Sequence, residues 1–192
     1  MSIRQYRPKN NRHHGISGNQ NLGLFLLLIL AIAFQISYPL VEGDSLRYVT
    51  IFTVATGALL ALVHSFLSFG LRYFATFGIV TFLFALLVEI MGNKTGWPFG
   101  SYIYDDSLGP KIAGVPILVP FAWIMMAHPV LIAARKTIPN WAFLYGGAGL
   151  MAWDLFLDPQ MVSAGRWTWD VVGPSVPFQP EIPLSNTAGW LF

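Results

Sequence analysis

Three carboxylic acids in this sequence fall inside or at the ends of long apolar runs: Glu89, Asp154 and Asp158. An ionisable side chain at membrane depth is costly to keep, so it is by default a functional candidate. Asp154 and Asp158 are spaced i, i+4, which on a helix sets both on one stripe about a turn apart, where a single pocket can see them. Two carboxyls in one pocket push their proton affinities apart, so one can donate a proton while the other accepts one. The competing structural reading is that Asp158-Pro159 and Glu89 merely end helices at a wet interface. It is weakest for Asp154, which lies deeper and follows Trp153.

Aromatic side chains gather near these acids. The stretch Thr95-Gly96-Trp97-Pro98-Phe99-Gly100-Ser101-Tyr102-Ile103-Tyr104 joins Gly and Pro turn formers to four rings, and Arg166-Trp167-Thr168-Trp169 forms a second aromatic segment. They read either as an interfacial aromatic belt or as a lid over a greasy pocket holding the three acids. His64 and His128 stand singly in separate apolar runs, without the paired spacing of a zinc or di-iron site, and are read as structural. Asp105-Asp106 is read as a solvated turn. With no cysteine there is neither a disulfide nor a thiolate nucleophile. The sequence also has no phosphate-binding Gly loop and no dinucleotide fingerprint. No metal and no cofactor is expected.

The elements that position these residues follow from hydropathy. The chain is 55% hydrophobic and 10% charged, against about 25% charged in an ordinary globular domain. Its solvent is therefore lipid. Five apolar runs, 22–40, 49–69, 73–91, 116–134 and 141–159, are each long enough to cross a bilayer as a helix. Ala31-Ile32-Ala33 resembles a signal-peptidase site, but the apolar run continues past it, so a retained first span is expected. A turn of two or three residues around Arg72 joins the second and third spans, and Gly146-Gly147-Ala148-Gly149 supplies small residues for close packing of the fifth. The fold class expected is all-α: a polytopic transmembrane bundle of five spans with the start of a sixth. Residues 1–20 are expected to be a flexible basic tail, and 21–192 a single domain that is C-terminally truncated. Arg4, Arg7, Lys9 and Arg12, with Arg72, Arg135 and Lys136, fall on one side, which puts the N-terminus in the cytoplasm and all three acids at the opposite face. This basic character reports orientation, so no nucleic-acid partner is expected. The bilayer of the cell membrane is.

The residues also carry a family resemblance. Thr95-Gly96, Pro98-Phe99-Gly100, Tyr102, Tyr104, Leu108-Gly109-Pro110, Gly114-Val115-Pro116 and Ala122-Trp123 resemble the central signature of the carotenoid biosynthesis membrane proteins that hydrate acyclic carotenoid ends. These are carotenoid 1,2-hydratases of the bisanhydrobacterioruberin hydratase and γ-carotene 1′-hydroxylase type. Ala152 to Val162, with Gly165, Trp167 and Trp169, resembles the second signature, and Ile182-Pro183-Leu184-Ser185-Asn186 with Gly189-Trp190 the third. The resemblance implies addition of water across the terminal C1,C2 double bond of an acyclic (ψ-end) carotenoid such as lycopene, giving a tertiary alcohol.

The residues suit that reaction. Protonating the alkene at C2 leaves a tertiary cation at C1, and burial is what keeps a carboxylic acid protonated at neutral pH. Asp154 is the candidate acid, and Glu89 or Asp158 the base that deprotonates water. Trp97, Phe99, Tyr102, Tyr104, Trp123, Trp153, Trp167 and Asn186 are the candidate substrate-binding residues, the aromatic faces among them offering cation stabilisation. Other membrane enzymes of the same pathway are candidate partners. Three other readings stay open: an oxidative hydroxylase, which lacks histidine clusters; a proton-coupled transporter using the same acids; and a non-catalytic carotenoid-pathway scaffold.

Overall fold

A computed structural model describes residues 16–191 of the chain. The first helix, α1 (Gly18–Ser37), starts at a capping box: the Ser17 hydroxyl accepts from the Gln20 amide at 3.3 Å, and the Gln20 side chain accepts from the Ser17 amide at 2.9 Å. Residues 18–20 of the segment expected to be a tail are thus helical, and 1–15 lie outside the described residues. No residue of α1 is buried, and Leu, Ile and Phe occupy all its sides. Such a helix has no polar face to give to water.

Helix α2 (Gly43–Thr95) is broken once, at Gly70, whose φ of 83° and ψ of 174° only glycine adopts without strain. There the chain doubles back: the rings of Phe66 and Phe74 lie 5.9 Å apart, and Leu62 packs against Gly78. The expected second and third spans are therefore the two limbs of α2, and Gly70, not a loop at Arg72, makes the reversal. Helix α3 (Leu118–Thr137) is the central rod, with Trp123, Ile124, Met125, Met126 and His128 all buried. Helix α4 (Ala142–Ser163) runs through Pro159 without ending there and packs on α3 where Gly149 meets Val130. A Cβ on Gly149 would lie 3.0 Å from Val130 Cγ1, the close approach expected of the small residues in this segment. Among the described residues, three helical segments are long and apolar enough to cross a membrane: Gly18–Leu40, Gly43–Thr95 and Leu118–Thr137.

The structure is mostly helical, as expected, but short strands add to it at one end. The two long connections fold into antiparallel ribbons: β1 (Ser101–Tyr104) pairs with β4 (Trp167–Asp170), β2 (Lys111–Ile112) with β3 (Val115–Pro116), and β5 (Ser175–Val176) with β6 (Gln179–Pro183). A short helix, α5 (Leu184–Gly189), follows. The two aromatic segments are hydrogen-bonded neighbours, with Tyr102 opposite Trp169 and Tyr104 opposite Trp167. The reason is backbone accounting: connections sealed against an apolar bundle must satisfy their own amides, and pairing does so. Burial alternates along β1, so Tyr102 and Tyr104 point inward. The main core lies at this end, where Ala85, Phe99, Tyr102, Tyr104, Leu108, Val115 and Trp123 pack together.

Candidate active site

Glu89 is 4% exposed on the second limb of α2, directly under the lid. Its Oε2 accepts from the Tyr102 phenol at 2.6 Å and the Tyr104 phenol at 2.8 Å, and its Oε1 accepts from Trp123 Nε1 at 2.9 Å. Three donors and no cation surround it, so this carboxyl acts as an acceptor throughout and keeps one lone-pair site, on Oε1, for another donor. The phenols stay neutral donors. Burial first, and the neighbouring Glu89 charge second, hold both tyrosines well above the usual phenol range. Helix and lid meet closely here because residue 92 is glycine: a Cβ on it would lie 2.7 Å from Tyr102 Oη.

Asp154 and Asp158 are each 3% exposed on α4, one turn apart and facing away from the exposed Leu155 and Phe156. Their Oδ2 atoms are brought side by side, because both reach the same side-chain nitrogen. Asn186 caps the pair. Its Nδ2 donates to Asp154 Oδ2 at 2.8 Å and to Asp158 Oδ2 at 2.5 Å. Asn186 itself is 3% exposed. It is set by α5, which presses Gly189 onto the Phe99 ring, where a Cβ would come within 2.8 Å of Cδ1. One amide thus uses both its hydrogens on two acids.

These two acid centres share one small cavity of about 70 Å³, walled by Phe99, Trp123, Trp167, Trp169 and Trp190. That is room for a water beside a small end group. The indoles of Trp123 and Trp190 stack at 4.5 Å, and Phe99 lies 5.7 Å from Trp190. Rings of this kind stabilise a passing cation by about 0.5 to 2 kcal/mol each without adding a nucleophile. The arrangement can deliver a proton, hold a cation and take a proton back.

Of the residues singled out in the sequence, Glu89, Asp154, Asp158, Phe99, Tyr102, Tyr104, Trp123, Trp167 and Asn186 line this cavity. Two do not. Trp153 lines a separate apolar groove, and Trp97 is 64% exposed and lines neither space. Tyr102, Tyr104 and Trp123 turn out to be hydrogen-bond donors to Glu89, and Asn186 a bridge between acids. Trp190, part of the third signature, was not singled out as a site residue, although its ring stacks on Trp123.

The histidines read as solitary are a pair. His64 Nδ1 and His128 Nε2 are 2.9 Å apart in the bundle, and His64 Nε2 lies 3.2 Å from Ser68 Oγ. Asp105 and Asp106 form the turn expected of them: Asp105 accepts from the Ser107 amide at 2.8 Å, and Asp106 pairs with Lys111 at 2.5 Å. The Ser107 interactions draw the Asp105 carboxyl below its usual range. Among the described residues, no group of three or more His, Asp and Glu could hold a metal ion.

The family described as carotenoid biosynthesis protein matches residues 47–192, which takes in every residue of both acid centres. The chain belongs to the carotenoid biosynthesis protein family. It is also 33% identical over 116 residues to a bisanhydrobacterioruberin hydratase of Haloarcula japonica, a match covering 57% of this chain and 38% of that protein. The chain thus spans little more than a third of the length of this curated relative. No solved structure matches it.

Proposed function

We propose that the protein is a carotenoid hydratase of the cell membrane, adding water across the terminal C1,C2 double bond of an acyclic carotenoid to give a tertiary alcohol. The observation that carries this reading is the buried Asp154–Asp158 pair, bridged by Asn186 inside an aromatic cavity. The similarity to a hydratase supports it. In the proposed orientation the N-terminus is cytoplasmic, five spans cross the bilayer, and the lid lies at the outer face.

The reaction balances without a redox partner or cofactor. Asp154 gives its proton to C2, the π electrons form the new C–H bond, and C1 becomes a tertiary cation beside the indoles of Trp123 and Trp190. Water attacks C1 through oxygen. Its surplus proton passes to the Asp158 carboxylate and from there to the neighbouring Asp154, which restores the acid. Glu89, held by three donors, is kept from swinging in to trap the cation. It is also the runner-up for the base.

The test is expression in a lycopene-accumulating host of the intact chain beside Asp154→Asn and Asp158→Asn. Hydrated pigment from the wild type, with product lowered on the order of 10²-fold or more in both variants, is the expected result. Wild-type levels of product from either variant would remove the pair from the chemistry. Failure of the wild type to change the pigment, with proton flux in sealed vesicles, would favour a transporter.

A further inference from the structure

Beside the acid cavity runs a second, larger space of about 670 Å³, between α1, the first limb of α2, α3 and α4. Its walls include Ile32, Ile36, Val54, Met125, Trp153 and Phe156. It follows α4 from Gly149 to Met161, about 18 Å of helix at 1.5 Å per residue. A space of that volume and length has a mean cross-section on the order of 40 Å², enough to seat a hydrocarbon chain lengthwise. At the lid end the Tyr38 hydroxyl donates to the Gln160 carbonyl at 3.4 Å, tying α1 to α4.

The two spaces are contiguous. Val119, Ala122, Leu157 and Trp167 line both, so the partition is a single side chain thick. Helix α4 divides its faces between them: Trp153, Phe156 and Gln160 face the groove, while Asp154 and Asp158 face the acids. The small residue in the partition is Ala122, next to the Trp123 that donates to Glu89.

We propose that this groove seats the polyene body of an acyclic isoprenoid, and that Ala122, with Val119, Leu157 and Trp167, forms the portal through which the chain's end enters the acid cavity. The proposal rests on the hydratase reading and extends it to how the substrate is held. A long apolar chain with a reactive end fits because the groove is elongated and apolar and shares one wall with the acid cavity. The cavity of about 70 Å³ admits only the last few carbons, so the bulk of a long substrate needs the groove. Portal and groove have separable roles, which makes the assignment testable.

The experiment uses the full chain purified in mild detergent from a lycopene-accumulating host, with bound pigment and turnover both measured. Ala152→Phe on α4 and Ile32→Trp on α1 fill the groove from opposite walls, and each is expected to lower bound lycopene at least about tenfold and to raise KM. Ala122→Leu narrows the portal and is expected to keep bound lycopene while kcat falls at least about tenfold. Wild-type binding and turnover in both groove variants, or phospholipid in place of lycopene in the wild-type protein, would overturn the groove assignment. Lycopene bound in the groove but never hydrated would contradict the hydratase reading and leave the groove standing. Hydration unaffected by groove filling would do the reverse.

Discussion

The side-chain nitrogen of Asn186 lies 2.8 Å from Asp154 Oδ2, although 32 residues separate them in the chain. Because the same amide also reaches Asp158, it is a donor shared by both members of the acid pair. Replacing it with Asp keeps the size but puts an acceptor where a donor stood. Asn186→Asp is expected to lower turnover on the order of 10²-fold, and Asn186→Leu comparably. Activity of Asn186→Asp near that of the wild type would mean the amide merely fills space.

Glu89 gives a stability prediction. In Glu89→Gln the new amide group faces donors on at least one side, leaving a buried N–H or O–H without an acceptor, at a cost of about 1–3 kcal/mol. Thermal unfolding followed by tryptophan fluorescence is expected to report this loss. Tyr104→Phe, which removes one donor and leaves Glu89 with two, should cost less. An unchanged transition in Glu89→Gln would contradict the acceptor-only role of this carboxyl.

Gly92 and Tyr102 should not act independently. A methyl at position 92 strikes the phenol oxygen, so Gly92→Ala is expected to push Tyr102 off Glu89 and destabilise the lid. In a Tyr102→Phe background that oxygen is already gone. The double variant is therefore expected to be more stable than the sum of the two single losses implies, by about 0.5 kcal/mol or more. Strict additivity would mean the helix and lid do not meet there as described.

The lid tyrosines fix a pH window. Both folded phenols ionise above their usual 10.0, so the unfolded chain is the first to lose these protons as pH rises. Their effect on stability is absent below about pH 10 and becomes a loss above it. Phenolate absorbance of these two tyrosines should then emerge only together with unfolding. Simultaneous, reversible titration of all seven tyrosines near pH 10 in the folded state would contradict their burial against Glu89.

Much of the site could be read from the chain. The four-residue spacing of Asp154 and Asp158 fixes their common face as soon as α4 is helical, and hydropathy brings Glu89 to the same end of the bundle. What spacing could not give were meetings across long loops. Asn186 reaches the acids only through the seating of α5 on Phe99, and it came to notice through a family motif. His64 and His128 are 64 residues apart and touch because Gly70 folds α2 back beside α3. The β1–β4 ribbon escaped notice because four-residue strands flanked by Gly and Pro carry too little alternation to stand out from a loop. Trp97 shows the opposite failure: its aromatic character suggested a pocket wall, yet it faces outward.

In the proposed reaction, water adds to the end of an acyclic carotenoid with a proton from the Asp154–Asp158 pair. The most direct measurement gives the purified protein lycopene in heavy-oxygen water and weighs the product, with Asp154→Asn alongside. A product heavier by one labelled water is expected from the wild type, and little or none from the variant. A product whose new oxygen is unlabelled would contradict hydration, because that oxygen would have come from dioxygen and the reaction would be oxidative.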